Sequence, residues 1–186
     1  MIKIGITGSL ASGKSTVAKL MSKKKYPIFN ADNVVGALYK RRSFLIKVKK
    51  RFNFKNSKNL KNKIKSLITK DKRALRKLEK TIHPLVRKEM KIFMKKRKKI
   101  KIGLFEIPLL IESKLMKYFD VIVFVNAKKK TRLRRYKGNR EIFTLLDKRQ
   151  IIPRKKIKFS DHVINNNKSV IKLKNKIEDL INNYEW

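Results

Sequence analysis

Gly8-Ser9-Leu10-Ala11-Ser12-Gly13-Lys14-Ser15 is the stretch on which the reading of the whole chain turns. It fills every fixed position of G-x-x-x-x-G-K-[ST]. Glycines let such a loop curl so that successive N–H groups point inward at phosphate oxygens, and the helix that follows adds its positive N-terminal end. Lys14 is placed to reach the β- and γ-phosphates and the Ser15 hydroxyl to ligate Mg²⁺. The whole run from Gly8 to Thr16 is therefore the expected ATP-binding loop. The flanks agree with this. Met1 to Thr7 reads MIKIGIT, a short β-branched run suited to a buried strand, and Lys14-Ser15-Thr16-Val17-Ala18-Lys19-Leu20-Met21 reads as a helix.

Working outward, Pro27-Ile28-Phe29-Asn30 is a second short strand, and Val34, Val35 and Leu38 give a helical pattern from Asp32 to about Arg42. Residues 43–99 are helix-like and heavily charged, with Leu75, Leu78, Ile82, Leu85, Val86, Met90 and Phe93 spaced at three and four. Strands return at 100–105 and at Val121-Ile122-Val123-Phe124-Val125, a continuous apolar run of the kind covered on both faces. His162-Val163-Ile164 and a closing amphipathic helix from Val170 to Ile181 complete the chain. This alternation implies an α/β fold: a parallel five-stranded sheet flanked by helices, of the P-loop kinase type. The expected parts are a core at 1–42, 100–127 and 160–186 and an inserted helical substrate-side subdomain at 43–99.

Composition bounds the rest. The chain has 186 residues, of which 41% are hydrophobic, enough for a real core. It has no cysteine, which excludes a disulfide scaffold, a Cys-ligated zinc, an iron–sulfur cluster and a cysteine nucleophile. No apolar run approaches the roughly 18 residues of a membrane span, and no secretory pattern opens the sequence, so a cytoplasmic protein without membrane attachment is expected. The net charge is +40, but Lys, Ile and Asn together supply 76 of the 186 residues. All three have A/T-rich codons, so biased base composition accounts for much of the charge, and the basic runs are scattered rather than gathered on one arm. A preference for anionic small ligands fits the remainder, with no obligatory nucleic acid.

Asp32 lies 18 residues beyond Lys14, just past the second strand and on the edge of the sheet where such folds bind ligands. A carboxylate there can take the proton of an attacking hydroxyl, or it can simply N-cap the helix that follows. A signalling GTPase would carry N-K-x-D, whereas Asn167-Lys168 is followed by Ser169-Val170.

Beyond the loop, a longer set of segments occurs in order: Asn30-Ala31-Asp32, Ile82-His83-Pro84-Leu85-Val86, Ile107-Pro108-Leu109-Leu110-Ile111-Glu112, and Asp161-His162-Val163-Ile164-Asn165-Asn166. Together with the phosphate loop they resemble the dephospho-CoA kinase family, over nearly the whole chain. The resemblance implies ATP- and Mg²⁺-dependent phosphorylation of the ribose 3′-hydroxyl of dephospho-CoA, the last step of coenzyme A synthesis. It implies that the 43–99 subdomain binds the acceptor and that 128–159 is a lid. It implies that Asp32 is the general base, with Lys14 and the lid arginines Arg135 and Arg140 acting on the moving phosphoryl. It also implies that His83, Pro84, Pro108, Leu109, Leu110 and Glu112 hold the acceptor, and that Glu106 holds magnesium with Ser15. The family often reads Asp-Ala-Asp where this chain has Asn30-Ala31-Asp32, the lid is a few residues short, and no Arg-Asp pair is readable in it. Other small-molecule P-loop kinases (acting on a nucleoside, nucleotide or shikimate) and a basic nucleic-acid-binding NTPase stand as alternatives. A monomer and a small homo-oligomer are both compatible with the sequence.

Overall fold

The computed structural model describes residues 1–55 and 59–183; residues 56–58 of the expected insertion and 184–186 of the expected core lie outside them. The chain divides into two compact units, 1–30 with 94–186, and 31–93.

The first unit is built on five strands among the described residues: β1 (Ile2–Gly8), β2 (Ile28–Asn30), β3 (Ile102–Glu106), β4 (Val121–Asn126) and β5 (His162–Asn165). They pair in the order β2-β3-β1-β4-β5, and every pairing is parallel. Parallel strands bring their C-terminal ends to one edge. Register places Ile6 and Asn30 on either side of Glu106, and Gly8 beside Val125, so the loop after β1 and the ends of β2 and β3 open on the same side.

Ile4, Ile6, Leu104, Val123 and Val125 of the sheet pack with Val17, Ala18 and Met21 of α1 (Lys14–Ser22) and with Leu173 and Ile177 of α9 (Val170–Asn183). On the other side Gly5 makes room for neighbours: a Cβ there would lie 2.6 Å from Leu110 Cδ1 and 3.0 Å from the Phe119 ring. The strand expected at 100–105 starts two residues later, because Arg97 to Ile100 form a turn closed by the Ile100 N–H on the Arg97 carbonyl.

The second unit is helical: α2 (Ala31–Leu38), α3 (Arg42–Arg51), α4 (Leu60–Lys70) and most of α5 (Lys72–Lys96). Its core joins Leu38, Phe44, Val48, Leu60, Ile64, Leu78 and Ile82. Leu38 belongs to that core, which is why the unit takes in α2 and begins at Ala31, earlier than the 43 expected. Pro84 sits inside α5 although proline removes an i→i−4 hydrogen bond. Buried Leu78, Ile82 and Met90 on both sides of it hold the helix continuous.

The 128–159 segment carries α6 (Lys129–Arg135), α7 (Arg140–Arg149) and α8 (Pro153–Ile157). Among the described residues no helix is long and apolar enough to cross a membrane.

Candidate active site

The loop between β1 and α1 has the backbone its sequence requires. Gly13 takes φ +93°, and a Cβ there would come within 2.2 Å of Asn166 Nδ2. Gly8 is as constrained, since a Cβ would meet the Val125 carbonyl at 2.4 Å. Ala11 also has a positive φ, 57°. The Lys14 ammonium reaches back across the loop to the carbonyls of Ser9 (3.0 Å) and Gly8 (3.3 Å), curled around the space where phosphates bind in loops of this pattern. Ser9 and Ser12 are buried within the loop, and Thr16 is exposed on the first turn of α1.

Leu10 is placed differently from its neighbours. Its N–H donates to Gln150 Oε1 at 3.1 Å and its carbonyl accepts from Arg132 Nη1 at 3.3 Å, so its backbone is engaged with the 128–150 segment rather than with the cradle.

Beside the loop, Glu106 closes the end of β3 and is 3% exposed. Its Oε1 accepts the Ser15 hydroxyl at 2.6 Å and its Oε2 accepts Asn30 Nδ2 at 2.5 Å. A hydroxyl and a carboxylate at this spacing are hard oxygen donors that fit Mg²⁺. Among the described residues no group of three or more His, Cys, Asp or Glu could hold a metal unaided. The pair therefore fits an ion whose remaining ligands are water and nucleotide phosphate.

Arg135 lies on the same side: its Nη1 donates to the Asn166 carbonyl at 2.9 Å, while Asn166 Nδ2 donates to the Ser12 carbonyl at 2.9 Å. Asn166 thus bridges α6 to the phosphate loop. Asn166 ends the Asp161–Asn166 segment of the family resemblance, where the sequence alone gives it no role because its partners Ser12 and Arg135 lie far along the chain. Arg140 opens α7 on the surface, after Asn139, whose side chain caps that helix by accepting from the Glu141 and Ile142 N–H groups. An Arg–Asp pair, not readable in the sequence, is present: Arg132 forks onto Asp147 through Nη1 and Nη2.

The segment after β3 divides in two. Pro108 and Leu109 are half-buried, and the Pro108 carbonyl accepts the Thr7 hydroxyl at 3.1 Å. Leu110 has no exposed surface and packs over Gly5 as core, so its side chain has no face to offer an acceptor. Glu112 is also committed inward: its Oε1 accepts the Ile151 N–H at 3.0 Å and pairs with the fully buried Lys156 ammonium at 2.7 Å. Its observed role is to tie the post-β3 loop to the start of α8.

In the helical unit, Asp32 is exposed in the first turn of α2, as the second helical residue rather than the cap before it. His83 and Pro84 lie mid-helix in α5, not at a helix end; His83 is half-buried and Pro84 exposed. Burial pushes the His83 pKa below its ordinary 6.5; the Arg87 charge acts in the same direction and Glu79 opposes it.

A family model for dephospho-CoA kinase (CoaE) matches residues 2–172. A dephospho-CoA kinase of Rickettsia felis is 34% identical over 185 residues, covering 97% of this chain and 96% of its own. Among solved structures, TT1252 from Thermus thermophilus aligns with a TM-score of 0.76 at 25% identity, covering 98% of this chain and 97% of that one. The dephospho-CoA kinase from Campylobacter jejuni shares the fold at a TM-score of 0.70 and 23% identity, covering 97% and 95%. With the phosphate loop, the parallel sheet and the carboxylate beside Ser15 in place, these matches settle the kinship: the chain belongs to the dephospho-CoA kinase family.

Proposed function

We propose that this protein transfers the γ-phosphoryl group of ATP to the ribose 3′-hydroxyl of dephospho-CoA, giving coenzyme A and ADP. The observation that carries this reading is the Ser15–Glu106 contact beside the glycine-turned phosphate loop, in a chain that matches the family along nearly its whole length.

The loop backbone binds the phosphates, and Lys14 turns its ammonium from the Gly8 and Ser9 carbonyls to the β- and γ-phosphate oxygens when nucleotide enters. Ser15 and Glu106 hold Mg²⁺, with Asn30 keeping the Glu106 carboxylate in place. When bound, the ion neutralises phosphate charge. Asp32 accepts the proton of the 3′-hydroxyl as it attacks. His83 and Pro84 on α5, with Pro108 and Leu109 after β3, hold the acceptor. Arg135 and Arg140 belong to a lid that covers the transferring group and excludes water, which an open site would use to hydrolyse ATP. Both substrates are polyanions, so a net charge of +40 speeds their encounter. The reading places the enzyme in the cytoplasm, as a monomer or small homo-oligomer.

A panel of hydroxyl acceptors, each with ATP and Mg²⁺ and followed by coupled ADP release, tests it. Dephospho-CoA is expected to give turnover well above every nucleoside, nucleotide and shikimate tried. Preference for any of those over dephospho-CoA overturns the substrate assignment.

A further inference from the structure

We propose that Gln150 and Arg132 are positioning residues that couple the 128–150 segment to the phosphate loop through the backbone of Leu10. The inference rests on the nucleotide-binding reading of that loop and adds to it a mechanical link.

Leu10 is the point where the two ends of this segment meet. From one end comes Arg132 on α6, buried at 5% exposure, whose Nη1 donates to the Leu10 carbonyl at 3.3 Å. From the other comes Gln150, the C-cap of α7, whose Oε1 accepts the Leu10 N–H at 3.1 Å. The guanidinium is not free to swing. Its Nε donates to the Ala127 carbonyl at 3.2 Å, its Nη groups fork onto Asp147 of α7, and it lies 5.5 Å from the centroid of the buried Phe143 ring. A planar guanidinium held at three points transmits position in a way that a flexible ammonium does not.

Immediately after Gln150, the Ile151 N–H donates to Glu112, which the buried Lys156 ammonium pins. The end of the segment is thus anchored on adjacent residues to both loops at the sheet edge. The start is anchored too, since Arg135, three residues beyond Arg132 and on the same helix face, meets Asn166 and through it Ser12. A phosphate loop that tightens on nucleotide moves Leu10, and Leu10 is bonded to both ends of the segment. Nucleotide occupancy is thereby sensed along α6 and α7 through the Leu10 backbone.

The test is trypsin cleavage at the exposed Lys137 between α6 and α7 and Arg140 at the start of α7, followed by mass spectrometry with and without saturating ATP and Mg²⁺, beside calorimetric ATP binding. In the wild type ATP slows cleavage. Gln150→Met keeps the shape and loses the acceptor, and Gln150→Asn keeps the polarity and cannot reach. Both are expected to bind ATP yet show protection reduced at least about fivefold, the low end of typical coupling between sites. Gln150→Glu keeps both the shape and an acceptor for the Leu10 N–H and should retain protection. Gln150→Met keeps the shape alone, so a purely steric role for Gln150 predicts protection in both and the hydrogen bond predicts it only in Gln150→Glu. Undiminished protection in Gln150→Met and Gln150→Asn overturns the proposal, as does loss of protection in Gln150→Glu, or a wild type that binds ATP without protection. A wild type that binds no ATP overturns the nucleotide reading itself.

Discussion

Asn30 Nδ2 donates to Glu106 Oε2 at 2.5 Å, in register across β2 and β3, so an amide occupies the position where the family often carries an acid. In this chain the carboxylate beside Ser15 is steadied by a neutral donor. Asn30→Asp would set two carboxylates within hydrogen-bonding distance in a largely buried place. Losing the donor and adding like charge should cost about 1–3 kcal/mol, roughly 2–12 °C of melting temperature for a chain of this size. Melts of Asn30→Asp with and without Mg²⁺ and ATP check this. The deficit should be largest without them and should narrow when a divalent ion is supplied. An unchanged melt without ligand would show that the Asn30–Glu106 bond carries no stability.

Lys14→Ala removes the cation reserved for phosphate. Turnover should fall by about 10²–10³-fold or more, the cost of losing one charge-stabilising group in a transition state, with circular dichroism unchanged. Lys14→Arg should be nearly as poor, because a planar fork does not fit where a compact ammonium curls into the loop. Near wild-type turnover in Lys14→Ala would remove the loop from the chemistry.

Asp32 offers a cleaner separation than the sequence alone promised. As the second residue of α2 it gains at most about 0.3–1 kcal/mol from the helix dipole, so Asp32→Asn should barely shift the melt. An amide cannot take the hydroxyl proton at neutral pH, so turnover should drop by about 10²–10⁴-fold with ATP affinity nearly unchanged. Steady-state kinetics with a parallel melt decide it. Full activity with an unchanged melt means that Asp32 is not the base.

His83 carries a pH signature. Its pKa is lowered on folding, chiefly by burial, so in acid the unfolded chain binds the proton more readily than the folded one. The contribution of neutral His83 is fully present above the unfolded pKa of about 6.5 and is lost as pH falls through the lower folded value. Melts of the wild type and His83→Gln between pH 8 and 5 should therefore converge or cross on acidification, with the wild type losing more. Parallel curves would mean that His83 does not titrate differently in the two states.

What the sequence made legible was what is written in neighbouring residues. The phosphate loop is a local backbone problem that glycines solve, and the Val121–Val125 run has no polar residue to face solvent, so both read directly. The residues whose roles changed depend on partners far along the chain. Nothing near Glu112 announces that Lys156 will be buried against it, and nothing near Leu110 announces the space above Gly5. Three arginines fall at 132, 134 and 135; only the fold reveals that Arg132 turns inward to Asp147 while Arg134 stays exposed. Pro84 falls inside the three-and-four apolar spacing of Leu78, Ile82, Leu85, Val86 and Met90, and that packing carries α5 through it although proline removes a backbone donor. Glu106 read as a strand-ending acid that the resemblance set with Ser15 at the metal, and what only the fold adds is the convergence of Ser15 and Asn30 on its two oxygens.

The measurement closest to the central claim is the structure of the product. Dephospho-CoA, ATP and Mg²⁺ incubated with the wild-type protein should yield, beside ADP, one new phosphorus-bearing species, heavier than the acceptor by one phosphoryl group. Its ³¹P NMR signal should couple to the ribose 3′ proton, with one ADP formed per molecule made. ADP released without a phosphorylated acceptor, or a phosphoryl group found at any position other than the 3′-oxygen, would contradict the account.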